Sequence, residues 1–95
     1  MNDSPDSSST PASLIEYPCR FPVKVMGANV DGFVHAITQV AREHDPAFDA
    51  STIELRESQG GRYLGVTLTV TATSRAQLDD LYRALTRHPL VKVVL

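Results

Sequence analysis

Apolar and polar residues alternate without a break in the second half of the chain. Leu64, Val66, Leu68, Val70 and Ala72 interleave with Tyr63, Gly65, Thr67, Thr69 and Thr71. A period of two marks a strand with one face buried and one face free, so a strand is predicted over 62–72. A shorter run of the same period, Thr52 to Glu57, comes before it, and Gly60-Gly61 lies between the two. A Gly-Gly turn supplies the positive φ that tight hairpins require. It sets Gln59 opposite Arg62, Leu55 opposite Val66 and Ile53 opposite Leu68, apolar against apolar. A slip of one residue would put Leu55 against a threonine position of the other face.

The period changes to 3.6 on either side of this hairpin. A helix is predicted over 30–44, with Phe33, Ile37, Val40 and Ala41 inward and Val30 and Val34 beside them. Asn29 is its expected N-cap, Asp31 suits the positive end of its dipole, and Asp45-Pro46 ends it. Phe48 is expected to plug the end of the core. The second helix opens on the S-x-x-Q capping box of Ser74 and Gln77, buries Leu78, Leu81, Tyr82 and Leu85, and stops at Pro89. Phe21 to Met26 reads as the first strand, stopped by Gly27, and Leu90 to Leu95 as the last.

The order βαββαβ predicts an α+β, ferredoxin-like sandwich: a four-stranded antiparallel sheet in the order 4-1-3-2, with both helices on one face. The free face is then expected to carry Lys24, Met26, Glu54, Arg56, Tyr63, Thr67, Thr69, Thr71, Lys92 and Val94.

Composition narrows the picture. Residues 1–13, MNDSPDSSSTPAS, are almost devoid of large apolar side chains and are expected to form a disordered tail. Residues 14–95 make a single domain. A domain of this size buries roughly 60% of its unfolded surface, which leaves room for a homodimer. The net charge of −2 lacks the basic stripe of a nucleic-acid binder, and the single cysteine, Cys19, rules out an intrachain disulfide. No apolar run reaches the roughly 20 residues that span a bilayer, and the N-terminus has no signal-peptide pattern. A cytoplasmic protein that binds neither membrane nor nucleic acid is expected.

Catalytic chemistry finds no foothold. There is no nucleophile elbow, HExxH pattern or Walker loop. Cys19, His35, His44 and His88 lack metal-ligand spacing, so neither an enzyme nor a cofactor is expected. The same topology carries RNA-recognition motifs, and Arg62-Tyr63 faintly echoes one. The next outward position is Gly65, so the second stacking aromatic is missing. Two candidate sites remain. One is the first strand–helix loop, where Gly27, Asn29 and Asp31 could admit a small ligand at a helix N-terminus. The other is the open sheet face, with Lys24, Tyr63, Gly65, Thr67, Thr69, Thr71 and Lys92, where a protein partner could dock.

Phe21-Pro22 with Lys24-Val25-Met26-Gly27, the Ser58-x-Gly-Gly-x-Tyr63 turn, Gln77-Leu78-Asp79 with Leu81-Tyr82, and the Val93-Val94-Leu95 ending resemble the YbeD family. The resemblance runs from Tyr17 to Leu95. Members are small bacterial proteins of unknown function, sometimes labelled lipoate regulatory proteins from genomic neighbourhood. It implies a ferredoxin-like fold similar to ACT regulatory domains. A non-catalytic regulatory or protein-interaction module is therefore expected. The alternative is an ACT-like sensor of an amino acid or lipoate-related metabolite.

Overall fold

Seven elements follow one another in a computed structural model that describes residues 15–95. They are β1 (Cys19–Ala28), α1 (Phe33–His44), a 3-10 turn (Ala50–Thr52), β2 (Glu54–Glu57), β3 (Tyr63–Ala72), α2 (Arg75–Arg87) and β4 (Val91–Val94). The sheet is antiparallel throughout, in the order β2-β3-β1-β4, the predicted order read from its other edge. The expected tail, residues 1–13, lies outside the described residues.

The alternation in β3 is realised in full: Leu64, Val66, Leu68, Val70 and Ala72 are buried, and the residues between them are not. Val23 and Val25 of β1 join them from the neighbouring strand. Over this face lie Phe33, Ile37 and Ala41 of α1 and Leu78, Leu81 and Leu85 of α2, all in one core. Phe48 closes its end, as expected. Leu55 pairs with Val66 in the predicted register.

The turn is wider than a two-residue hairpin. The Ser58 carbonyl accepts from Gly61 N at 2.8 Å, and its hydroxyl accepts from Tyr63 N at 3.0 Å. Gly60 and Gly61 both have positive φ, at 88° and 73°. Register survives because Ser58 N still donates to Tyr63 O, at 2.9 Å.

The start of α1 departs from expectation, and its end at His44 and Asp45 is where it was predicted. The helix begins at Phe33, behind Gly32 in the left-handed region with no side-chain cap, and Asn29 and Asp31 lie before it. At the other end His44 Nδ1 meets Val40 O at 2.9 Å. Asp45 is buried and accepts from Thr71 N at 2.8 Å and Ala47 N at 3.2 Å, which ties the helix exit to β3. Ser74 caps α2 as predicted, accepting from Gln77 N at 3.0 Å. Gln77 departs from the reciprocal half of the predicted capping box: its Oε1 accepts from Thr73 N, one residue before the cap, and its Nε2 donates to His44 O and Thr71 O. One amide thus joins the exit of α1, the end of β3 and the start of α2.

Gly27 does not stop β1; it lies within the strand and is buried. A Cβ placed there would stand 2.6 Å from the Phe33 ring and closer still to the Leu90 carbonyl. The residue is glycine because the core crosses the strand at that point. Next to it the β1–β4 register shifts, so that Met26 pairs with Val93 and Gly27 with Val91. Lys92 is the extra residue of a β-bulge.

Candidate functional site

The sheet face away from the helices forms a shallow trough of about 690 Å³. Pairing places its side chains in rows across the strands. One row runs Glu54, Thr67, Lys24, where Lys24 and Leu95 exchange backbone hydrogen bonds of 3.3 and 2.7 Å. The next runs Arg56, Gly65, Met26, Val93. Tyr63 stands at one end of the trough, Thr69 and Pro22 at the other. Gly65 leaves the middle without a side chain, so bare backbone forms part of the floor. Its own φ is not positive, and an added Cβ would meet only Arg56 O at 3.4 Å. The gap is therefore not imposed by backbone strain.

The trough is amphipathic. Met26, Val93 and Leu95 are exposed apolar side chains on or beside it, with Leu95 at 72%. Lys24, Glu54 and Arg56 supply charge. The ion pairs recorded among the described residues, Arg75 with Asp79 at 3.9 Å and Arg83 with Asp80 at 2.9 Å, lie on α2 and leave these three unengaged. Neither histidine nor cysteine lines the trough, and the Ser58 hydroxyl is occupied by Tyr63 N. Among the described residues no group of three or more His, Cys, Asp or Glu side chains could hold a metal ion. No described helix is long and apolar enough to cross a membrane.

Five of the seven predicted face residues, Lys24, Tyr63, Gly65, Thr67 and Thr69, line the trough. Thr71 lies on the same strand beyond it, its amide held by Asp45. Lys92 lies at the bulge on the β4 edge, also outside the trough lining. The bulge corrects the expected face of the last strand. Val94 pairs with Val25 and packs against the core, and Val93 takes the outward place beside Met26. Simple alternation misassigned them because one inserted residue reverses parity.

The strand–helix loop is committed to its own contacts. Gly27 is enclosed by Phe33 and Leu90. Asn29 is not an N-cap: its Nδ2 donates to Gly61 O at 2.9 Å and Glu57 Oε2 at 3.3 Å, and its N donates to Arg62 O at 3.0 Å. It holds the loop to the β2–β3 turn. Asp31 is exposed and does not fall within the first turn of α1. The three residues therefore do not converge on one point. A second depression, among Ile15, Tyr17, Phe21, Leu78 and Tyr82, is mostly apolar. The phenol of Tyr82 donates to Leu95 O at 3.4 Å, and burial pushes its pKa up from the ordinary 10.0.

The family model described as "Protein of unknown function (DUF493)" matches residues 12–95. A "UPF0250 protein" of Leptothrix cholodnii is 61% identical over 83 residues, covering 87% of this chain and 91% of its own. One from Ralstonia nicotianae is 56% identical over 97 residues and covers both chains in full. The solution structure of protein HP0495 from H. pylori matches with a TM-score of 0.74, covering 100% of this chain and 98% of that one. At 14% identity it supports the fold alone, which is ferredoxin-like.

Proposed function

The chain belongs to the DUF493 family of small bacterial proteins of unknown function, as its motifs led one to expect, and on that premise we propose that it is a cytoplasmic, non-catalytic module that docks a protein partner on the open face of its sheet. The observation that carries this reading is the trough itself. A gap at Gly65 lies between Met26, Arg56 and Tyr63, with the unengaged charges of Lys24 and Glu54 beside it. Such a surface offers an apolar seat at its centre and charge at its rim, the usual division of a protein interface. A partner side chain over Gly65 would meet backbone rather than a competing side chain.

Gly65→Leu tests this directly, because the position has room for a side chain but filling it removes the seat. Cross-linking in the native cell followed by capture should recover a reproducible partner with the wild-type chain and lose it with Gly65→Leu, both chains being folded by circular dichroism. Recovery of the same partner with both chains would defeat the reading. A thermal-shift screen with amino acids, lipoate and octanoate addresses the metabolite-sensor alternative. A true ligand at 100 times its Kd adds about 2.7 kcal/mol of stability, so a flat response at millimolar concentration counts against sensing.

A further inference from the structure

We infer that two copies of this chain associate through their β2 edges, in antiparallel register about a twofold axis at Leu55, to form a continuous eight-stranded sheet. The inference rests on the backbone edge of β2, although its charge pairs, Glu54 and Arg56, also line the open-face trough.

β2 is an outer strand, and all four of its residues are exposed. Ser58 N donates to Tyr63 O, which makes that pair a hydrogen-bonded one. Hydrogen-bonded and non-bonded pairs alternate along an antiparallel ladder, so Arg56 and Glu54 also direct their backbone groups to β3. Leu55 and Glu57 direct theirs outward. Ile53 N is already held by Ala50 O at 3.2 Å, which leaves its carbonyl as the outward group. A second β2 in antiparallel register about Leu55 pairs this set except for the Glu57 carbonyl, which would face the Ile53 N–H already held by Ala50 O and stays open to water. The two Leu55 residues exchange both bonds, and each Glu57 N–H donates to the Ile53 carbonyl of the other copy.

The side chains select the same register. Glu54 falls opposite the other copy's Arg56, and Arg56 opposite its Glu54, both in non-hydrogen-bonded pairs, where side chains stand closest. The two leucines fall opposite each other on the helix side of the sheet. Leu55 is 56% exposed although its partner in the hairpin, Val66, is fully buried. Contact with a second Leu55 covers the apolar surface that the helices leave bare. A twofold at residue 54 would place Glu54 against Glu54, and one at residue 56 would place Arg56 against Arg56. The β4 edge has no such complement, because Lys92 is its one charge.

Sedimentation equilibrium from micromolar to millimolar concentration tests the inference. The wild-type chain should reach twice its monomer mass as concentration rises. Arg56→Glu converts both cross-strand pairs from attraction to repulsion and should weaken association roughly tenfold or more. The exchange variant, Glu54→Arg with Arg56→Glu, restores opposite charges and should restore the dimer. Both positions are exposed, and circular dichroism checks the fold of each variant. Amide hydrogen exchange of the wild-type chain supplies a readout free of substitution: Leu55 and Glu57 should gain protection as concentration rises. A single-chain mass at millimolar concentration overturns the inference. So does a dimer indifferent to the charge reversal, or exchange at Leu55 and Glu57 that does not change with concentration.

Discussion

Replacing Gly27 with alanine adds one methyl group to a place where the structure has no room. The built Cβ lies 2.6 Å from Phe33 Cε1 and Cζ. Apolar carbons rest at roughly 3.5–4.0 Å, so the overlap is about 1 Å on the ring side alone. The other neighbour, the Leu90 carbonyl, is backbone and cannot turn away. Phe33 is fully buried, so its ring can retreat only by displacing the core. Gly27 is not among the glycines with positive φ, and the cost is therefore steric rather than conformational. Overpacking of this kind costs about 1–3 kcal/mol, more than the 0.4–1 kcal/mol or so that alanine gains by restricting the unfolded chain. At about 2 kcal/mol, and about 4–8 °C per kcal/mol for a domain of this size, Gly27→Ala should lower Tm by about 8–16 °C. Urea unfolding should show a lower midpoint with an unchanged slope. Phe33→Leu removes the ring edge nearest the new methyl. The double variant should therefore be more stable than the sum of the single losses predicts. A Gly27→Ala protein within about 0.5 kcal/mol of wild type, the range of an ordinary surface change, would refute this account of the position.

Three further predictions concern the turn, the amide hub and the C-terminus. Gly61→Val should damage folding, because a β-branched residue resists the φ of 73° found there; unchanged urea stability would show that the turn adapts. Gln77→Ala strips partners from Thr73 N, His44 O and Thr71 O and should cost about 1–3 kcal/mol by chemical denaturation, with loss of amide protection at Thr73. Tyr82 has its pKa raised above 10.0 by burial, so its contribution is fully present below pH 10.0 and is lost as pH climbs through the folded-state value. Alkaline titration of stability should thus fall less steeply above pH 10.0 for Tyr82→Phe than for wild type, and parallel curves would contradict the assignment.

The candidate face was readable in outline. Tyr63, Gly65, Thr67 and Thr69 follow from the period-two pattern of β3, and Lys24 from that of β1. The errors have one physical source, contacts between residues distant in sequence. Val93 and Val94 exchanged roles because the bulge at Lys92 shifts parity, and nothing in VKVV marks a bulge. Asn29 looked like a cap because it precedes a helical pattern, yet its side chain reaches Gly61, 32 residues on. Gly27 looked like a strand stop because glycine often is one, and the Phe33 ring that explains it lies across the core. Asp45 ends α1 as read from the sequence, but its further bond to Thr71 N, 26 residues on, was not legible there.

The 3-10 turn at Ala50–Thr52 aside, where the alternating pattern starts a strand at Thr52, sequence by itself determined the order of strands and helices, the β2–β3 register and the cap at Ser74. Each rests on spacings of two to four residues or on a turn whose ends are neighbours in the chain, so the information is local. Tertiary structure decided which apolar residues are covered. Leu55 and Val66 have the same polarity and sit opposite each other, yet one is exposed and the other buried. β2 is the edge of the sheet, and the helices pack over the strands beside it. Where a layer of two helices ends over a four-stranded sheet is a matter of widths and crossings, which no pattern within a single strand records.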